Sequence, residues 1–502
     1  MYHHPGEYVT DFCVVKRGAE YHLFHIRGER WTWPVGYREL DLGHAVSTDL
    51  RVWAPQEPVL PAGPAGAWDE CGNWAPDMIE VDGVYYCYYT GSDLNNNQAI
   101  GLATSTDLYH WEKHPHNPVV EPGPWSDRRV GRDVAGRDAM VFADAAHARY
   151  LLYYTATMAD GRACIGLSES TDLIDWRDLG PTYIEEDRSY NRLESAYLVQ
   201  HGARYYLFYS AKGGPKSKGF APTDFAHFDI VYLVSDAPTG PWQKPPNHEL
   251  LTEWTCASEH PTFDGVTYML YIVQEEIEGV WGASVLSDPK RLAWQADGTV
   301  QVHEHVPDNV RQESLFYGIN GDFAGWVAHG GNWQWRDGAL EINADAPAFY
   351  LNTLWGVDIC WQAELHLATH AVASLLVRAN PSAMAGYRIG LDQARGVLGL
   401  YQMIPGQDER MLQERTVEMQ SEEWHTIKVV VQGAFFDIYL NDVLQIVRHQ
   451  CVYADGCFGL HAQGHVQFRN LHAYRQIGPE GVAVDWQRRC LPRHLYGKSG
   501  NK

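Results

Sequence analysis

The sequence predicts an all-β protein, a five-bladed β-propeller followed by a β-sandwich of the jelly-roll or lectin-like kind. Three observations carry this expectation. One unit recurs five times before residue 300, its segments are short and rich in Val, Ile, Tyr and Phe, and a second series of alternating short strands follows it.

The third copy shows the unit most fully. It holds an apolar run with a carboxylate (Gly136-Arg137-Asp138-Ala139-Met140-Val141-Phe142), then a Tyr-rich run (Arg149-Tyr150-Leu151-Leu152-Tyr153-Tyr154). It ends on Gly166-Leu167-Ser168-Glu169-Ser170-Thr171-Asp172 and Trp176. The first Tyr of each such run falls at Tyr21, Tyr85, Tyr150, Tyr205 and Tyr268. The ending recurs as Gly43-His44-Ala45-Val46-Ser47-Thr48-Asp49-Leu50 with Trp53, and as Gly101 to Asp107 with Trp111. It is shortened to Val234-Ser235-Asp236 with Trp242 and weakest at Ser287-Asp288 with Trp294. Clusters of Gly, Asp, Asn and Pro separate the segments, and no helical period intervenes, so each unit reads as an antiparallel sheet. Five such sheets bury their faces most simply against one another around a channel.

The repeats stop near Trp294. Residues 1–300 are therefore assigned to the propeller, 301–325 to a linker, 326–476 to the sandwich and 477–502 to a strap or tail. Strand-like stretches in the sandwich include Trp424-His425-Thr426-Ile427-Lys428-Val429-Val430-Val431 and Phe436-Asp437-Ile438-Tyr439-Leu440-Asn441.

Composition narrows the function classes. With 502 residues, two domains are expected. The formal net charge of −24 argues against nucleic acid and anionic membrane as partners and leaves an oligosaccharide or polysaccharide as the expected one. No apolar run approaches the ~18 residues that a membrane span needs. The nine cysteines are spread singly, with no zinc spacing, and read as reduced thiols. The start, Met1-Tyr2-His3-His4-Pro5-Gly6-Glu7, lacks the basic and apolar regions of a secretory leader, and cytoplasmic residence is expected; a mature chain whose leader was replaced would read the same way.

Candidate chemistry lies in the run before each Tyr-rich strand, the innermost strand of a blade. Those runs carry Asp11, Asp77, Asp138, Glu194, and Glu259 followed by His260, spaced so that an acid is expected at one recurrent position. Unpaired carboxylates are costly to bury, so five converging on an axis suggest a site, although an inter-blade ion pair or a turn would also account for Asp77 and Glu259. Clustered acids split their pKa values, and a protonated acid facing an ionised partner can cleave a glycosidic bond.

At these residues the propeller region resembles the five-bladed β-propeller glycosidases, the superfamily of glycoside hydrolase families 32, 43 and 68. Gly43 to Leu50 and Arg137-Asp138 resemble family 32, the β-fructofuranosidases; Trp74-Ala75-Pro76-Asp77 resembles family 43, the arabinofuranosidases, arabinanases and xylosidases. The resemblance implies a catalytic set of Asp11, Asp138 and Glu194. Asp11 would be nucleophile (family 32) or general base (family 43), Asp138 the transition-state stabiliser or pKa tuner, and Glu194 the general acid. Arg137, Trp74, Asp77, Glu259 and His260 are the expected substrate-binding residues. The chain departs from the family pattern at Phe12, Ala139 and Ser195, where Pro, Pro and Cys are usual. The Asp437 to Asn441 and Phe468 to Leu471 stretches resemble the module that follows the propeller in family 32, and also lectin-like sandwiches elsewhere.

No cofactor is required by this reading, with a structural central cation near His260 as the one candidate ion. No H-E-x-x-H spacing, phosphate loop or G-x-S-x-G elbow is present. The expected activity is hydrolysis of furanosidic linkages, first of β-fructofuranosides with transfer to a hydroxyl as a variant. The alternatives are an inverting arabinofuranosidase or xylosidase and a non-catalytic carbohydrate-binding propeller.

Overall fold

The computed structural model describes residues 1–3, 6–29, 39–128, 135–186, 188–213, 228–277, 280–318, 321–382, 384–420 and 423–477. The strap expected at 477–502 lies outside them except for Ile477, as does Cys490. The chain divides into two compact units, Met1–Val302 and His303–Lys502. Among the described residues there is no α-helix, and one 3-10 turn spans Ala145–His147.

The first unit is built from antiparallel sheets arranged like a propeller. Four of them have four strands each. They are β1 (Glu7–Arg17), β2 (Glu20–Glu29), β3 (Leu42–Ser47) and β4 (Ala54–Pro55); β5 (Gly72–Val81), β6 (Val84–Ser92), β7 (Gln98–Ser105) and β8 (Glu112–Lys113); β9 (Ala135–Asp144), β10 (Arg149–Thr157), β11 (Ala163–Ser170) and β12 (Arg177–Ile184); β13 (Arg192–His201), β14 (Arg204–Lys212), β15 (Phe228–Ser235) and β16 (Glu249–Thr252).

The expected fifth four-stranded blade is corrected by the last repeat, which is built differently. It contains β17 (Thr255–Glu259), β18 (Thr262–Phe263), β19 (Val266–Ile277), β20 (Val280–Leu286) and β21 (Lys290–Trp294). Here β17, β20 and β21 all pair with β19, and β21 takes up the pairing at Met269 and Tyr268 where β20 leaves off at Ile272. Asp288-Pro289 breaks one strand into β20 and β21, because proline cannot donate to the ladder. Tyr2 bridges Leu286 through both backbone hydrogen bonds, on the edge that a fourth strand takes in the other repeats.

Between sheets, side chains of opposite parity go to opposite neighbours, as a period of two requires. On β10, Leu151 and Tyr153 pack with Leu193, Leu207 and Tyr209 of the following repeat, whereas Leu152 and Tyr154 pack with Tyr88, Ile100 and Leu102 of the preceding one. Val9, Phe12 and Leu23 of the first repeat share a core with Leu270, Ile272 and Leu286 of the last. Two buried phenols tie successive repeats: Tyr88 donates to the Leu173 carbonyl at 2.5 Å and Tyr153 to the Pro238 carbonyl at 2.6 Å.

The Ser-x-Asp-Leu-x-x-Trp endings are turns rather than sites. Asp49, Asp107 and Asp172 each accept two backbone N–H groups from the residues that follow, at 2.8 to 2.9 Å, as an Asx-type cap does. The leucine after each, Leu50, Leu108 and Leu173, sits in the left-handed region (φ 61°, 69° and 66°) and is buried. Apolar burial and the Asp cap together offset that conformational cost.

The second unit is a β-sandwich-like domain. Its hub is the strand Cys457–Ile477, which pairs with Arg311–Gly318, Ala339–Asn352, Ile359–Leu367 and Val372–Asn380. Trp361, Leu375, Ile389, Val429, Ile438 and Phe468 lie in its core. The expected linker 301–325 is corrected as well. It holds most of β22 (Val300–Glu304), inside which the two units divide, and the strand Arg311–Gly318. Polar composition hid them: Arg311-Gln312-Glu313-Ser314 is an exposed strand. The eight described cysteines form no disulfide, and six are buried.

Because the Asp cap holds its leucine in a strained turn, Asp172→Ala should cost about 1–2 kcal/mol in urea unfolding. A loss below the measurement error would show that burial of Leu173 alone holds the turn.

Candidate active site

A bulge in the first strand of every repeat creates the site. The register with the second strand slips by one residue between Thr10 and Phe12, between Trp74 and Asp77, opposite Asp138 and Ala139, between Glu194 and Tyr197, and between Cys256 and Glu259. Ala75, Asp138, Ser195 and Ala257 take positive φ there (43°, 54°, 51° and 45°). A bulge re-aims side chains and ends regular alternation, so residues that a regular strand would send sideways turn toward the axis.

The expectation of one recurrent acid position is thereby corrected. Asp11 and Asp138 are bulge residues, Glu194 precedes its bulge, and Asp77 and Glu259 lie beyond theirs. The first three open on a solvent-connected basin of about 1050 Å³ together with Arg137 and Trp74. Glu259 instead lines a narrower axial cavity, which Asp11, Phe12, Pro76, Ala139 and Ala196 also line.

Besides Glu259, two of the expected substrate-binding residues lie outside the basin lining. Asp77 is buried and accepts the Val141 N–H at 2.7 Å, which joins β5 to β9. His260 is a core side chain, stacked on Phe208 at 3.8 Å between ring centroids with its Nε2 3.0 Å from the Ser258 hydroxyl. Burial pushes its pKa down to about 3, so it is neutral. Among the described residues no group of three His, Cys, Asp or Glu side chains is placed to hold a metal, and the cation near His260 gains no ligand set from the geometry.

Arg137 organises the basin. It donates to Glu194, lies 3.4 Å from Asp138 and donates to Gln98 Oε1 at 3.3 Å. Arg192 donates to the same Glu194 oxygen at 3.3 Å. Ser195, which departs from the family pattern, donates its hydroxyl to Asp11 Oδ1 at 3.0 Å. Thr155 donates to Asp138 Oδ2 at 2.9 Å, and the Asp138 N–H donates to Thr90 Oγ1 at 3.0 Å.

These partners divide the protons. Burial first, then the charges of Asp138 and Glu194, push Asp11 up to about 7, against the Ser195 hydroxyl and Arg137. Burial also raises Asp138, opposed by Arg137. Burial acts on Glu194 in the same sense, but Arg137, Arg192 and Lys212 outweigh it and hold Glu194 below the ordinary range. Near pH 7 these partners keep a proton on Asp11 in preference to Glu194, the reverse of the roles that the family resemblance implies.

The sequence reading missed Glu39, Tyr8, Arg192 and Lys212, which line the same basin. Burial pushes Glu39 up to about 8 despite the hydrogen bond donated by Tyr8. Its carbonyl accepts the Asn73 N–H, and a Cβ on Gly72 would meet that carbonyl at 3.1 Å and the Trp74 ring at 2.6 Å, so this approach requires glycine. Nothing in the repeat pattern marks Glu39, whereas Arg192 had a signal in lying two residues before Glu194 in a strand, hence on the same face.

Residues 8–153 match the family described as glycosyl hydrolases family 43, and residues 312–473 match a 3-keto-alpha-glucoside-1,2-lyase-like domain. Over residues 8–153 the propeller unit is thus similar to glycoside hydrolases. A levanase of Bacillus sp. (strain L7) is 32% identical over 174 residues, 32% of this chain and 17% of the levanase. An arabinan endo-1,5-alpha-L-arabinosidase A of Aspergillus niger is 29% identical over 251 residues, 47% of this chain and 68% of that protein. The chain thus spans about a sixth of the levanase's length. In three dimensions the fructan 1-exohydrolase IIa of Cichorium intybus superposes with a TM-score of 0.65 at 15% identity, covering 94% of this chain and 96% of that one, a likeness of fold.

A buried carboxyl that keeps its proton makes stability depend on pH. Asp77 is raised by burial to about 7 against 3.8 for the free group. Between these values the folded state holds a proton that the unfolded state has lost, so stability falls as pH rises through that window. Asp77→Asn, which keeps an acceptor for Val141, should match wild type near pH 4 and exceed it at pH 8 by a few kcal/mol at most. Melting curves at the two pH values check this, and a uniform loss at both would overturn the assignment of a protonated Asp77.

Proposed function

We propose that the protein hydrolyses furanosidic linkages of an oligosaccharide or polysaccharide, acting first of all as a β-fructofuranosidase. The supporting observation is that Asp11, Asp138 and Glu194, from the first, third and fourth repeats, meet Arg137 in one basin. Glu194, once protonated, gives its proton to the leaving oxygen. Asp11, once ionised, attacks the anomeric carbon or activates a water, and Asp138 with Arg137 holds sugar hydroxyls and faces the oxocarbenium-like charge. A covalent intermediate on Asp11 would be open to capture by a hydroxyl as well as by water, which allows transfer. Each step uses side chains of this chain alone; residence in the cytoplasm belongs to the same proposal.

A second reading, an arabinan-cleaving or arabinofuranosidase activity, is favoured by the family 43 match over residues 8–153 and by the Aspergillus niger relative. The two readings differ in the glycone, not in the acids used.

Sucrose, inulin, levan, arabinan and aryl furanosides and pyranosides form the deciding panel. Asp11→Asn and Glu194→Gln should each lower kcat on the accepted substrate by at least ~10²-fold. Full activity in both variants would sink the catalytic assignment.

Catalysis needs Asp11 ionised and Glu194 protonated, and Asp11 holds the higher of the two pKa values, so kcat/KM of the wild type should fall with rising pH along an alkaline limb centred near 7. Ser195→Ala removes a hydrogen bond that lowers the Asp11 pKa and should move this limb to higher pH. An unmoved limb would show that another group sets it.

A further inference from the structure

The basin holds a charge arrangement that hydrolysis of a neutral sugar does not call for. Arg192 and Lys212 are direct partners across the β13–β14 ladder, two cations opposite each other on one face. Like charges in that register are destabilising. Both line the basin, and both act on Glu194, which lies two residues from Arg192 on the same face. Arg137 already serves Glu194 and Asp138. A chain with a formal net charge of −24 therefore gathers three cations beside one proton donor.

We propose that Arg192 and Lys212 form a subsite for an oxyanion carried on the leaving group, so that the glycosides cleaved are phosphorylated, sulfated or carboxylated there. This rests on the reading of the basin as a glycosidase site. The leaving-group side follows because the pair flanks Glu194, the group that would protonate the departing oxygen. An oxyanion between the two cations relieves their repulsion and accepts charge-assisted hydrogen bonds from both.

The same contact corrects the proton distribution. Glu194 is held in its ionised form because Arg137, Arg192 and Lys212 outweigh its burial, and its negative charge is among the causes that raise Asp11. When a bound oxyanion neutralises Arg192 and Lys212, burial raises Glu194. Protonation of Glu194 then removes one of the charges that raise Asp11, and the proton of Asp11 passes to Glu194. The charged groups around this exchange are Asp138 and Arg137 on β9, Arg192 on β13, Lys212 on β14 and Glu39 at the basin wall. The substrate that fits the subsite thus arms the acid and frees the nucleophile or base in one proton move.

The test compares pairs of glycosides with the same glycone and either a neutral or an anionic leaving group, with separate phosphate, sulfate and carboxylate arms. The wild type should prefer one anionic arm by about 10- to 100-fold in kcat/KM, the size of one or two charge-assisted contacts. Lys212→Met and Arg192→Gln should each reduce the preference toward unity, and Lys212→Arg should retain it. With a neutral substrate, Lys212→Met should also move the acid limb of the pH profile upward, because that limb follows Glu194 and a cation that holds Glu194 down is gone; a merely structural lysine would leave the limb in place.

Independently of turnover, inorganic phosphate and sulfate should be bound by the wild type, read by tryptophan fluorescence, and at least ~10-fold more weakly by Lys212→Met. Turnover of neutral glycosides with equal efficiency for all anionic arms, and no competition by phosphate or sulfate, would overturn the subsite and leave the glycosidase reading standing. Anion binding lost in Lys212→Met, without turnover of any glycoside, would support the subsite and overturn the glycosidase reading.

Discussion

The site depends on a backbone irregularity. A regular strand alternates its side chains between two neighbouring sheets, and in this fold both of those directions are filled by core. Where the register slips, a third direction, toward the axis, becomes available. The slip occurs in the first strand of each of the five repeats, and at Asp138 it is taken up by an aspartate with φ of 54°. Aspartate tolerates that conformation better than most side chains. Local strain and function coincide at this residue, with Thr90 and Thr155 fastening it from either side.

Electrostatics then sorts acids that composition alone treats as equivalent. Asp77, Glu259, Asp11 and Glu39 are all raised, chiefly by burial, whereas Glu194, equally enclosed, is lowered because three cations face it. The catalytic potential of the basin lies in this difference, since a pair of carboxyls pushed apart is what acid–base chemistry requires. Ser195 refines it, and one of the three residues that break the family pattern is thereby given a task at Asp11.

The repeats were legible because period two, Tyr-rich runs and turn residues are local signals, and the first four Tyr anchors fall in the second strand of their repeats, the fifth in β19. The same signals place Asp11, Asp138 and Glu194 on the first strands of their repeats, where they lie. The fifth repeat was not, because β20 and β21 look like an ordinary strand and ending until Asp288-Pro289 interrupts them. Bulges leave no compositional trace, so Asp77 and Glu259 were assigned to the wrong depth. Glu39 comes to the basin by tertiary contact with Asn73 and Tyr8, which no spacing encodes. His260 was misplaced because its neighbour Glu259 faces the axis while its own ring turns into the core.

The two phenols that bind carbonyls in the next repeat have a consequence for how this unit comes apart. Tyr88 reaches Leu173 and Tyr153 reaches Pro238, 85 residues along the chain in each case. In a stacked solenoid, terminal repeats fray while the interior survives, because every interface is between neighbours in an open line. Here the first repeat also shares a core with the last, so no repeat is terminal. Loss of one sheet exposes two faces and cuts a buried hydrogen bond at a distant turn. The propeller should consequently melt as one cooperative body, and a chain cut between repeats should retain less structure than the residues it keeps would suggest.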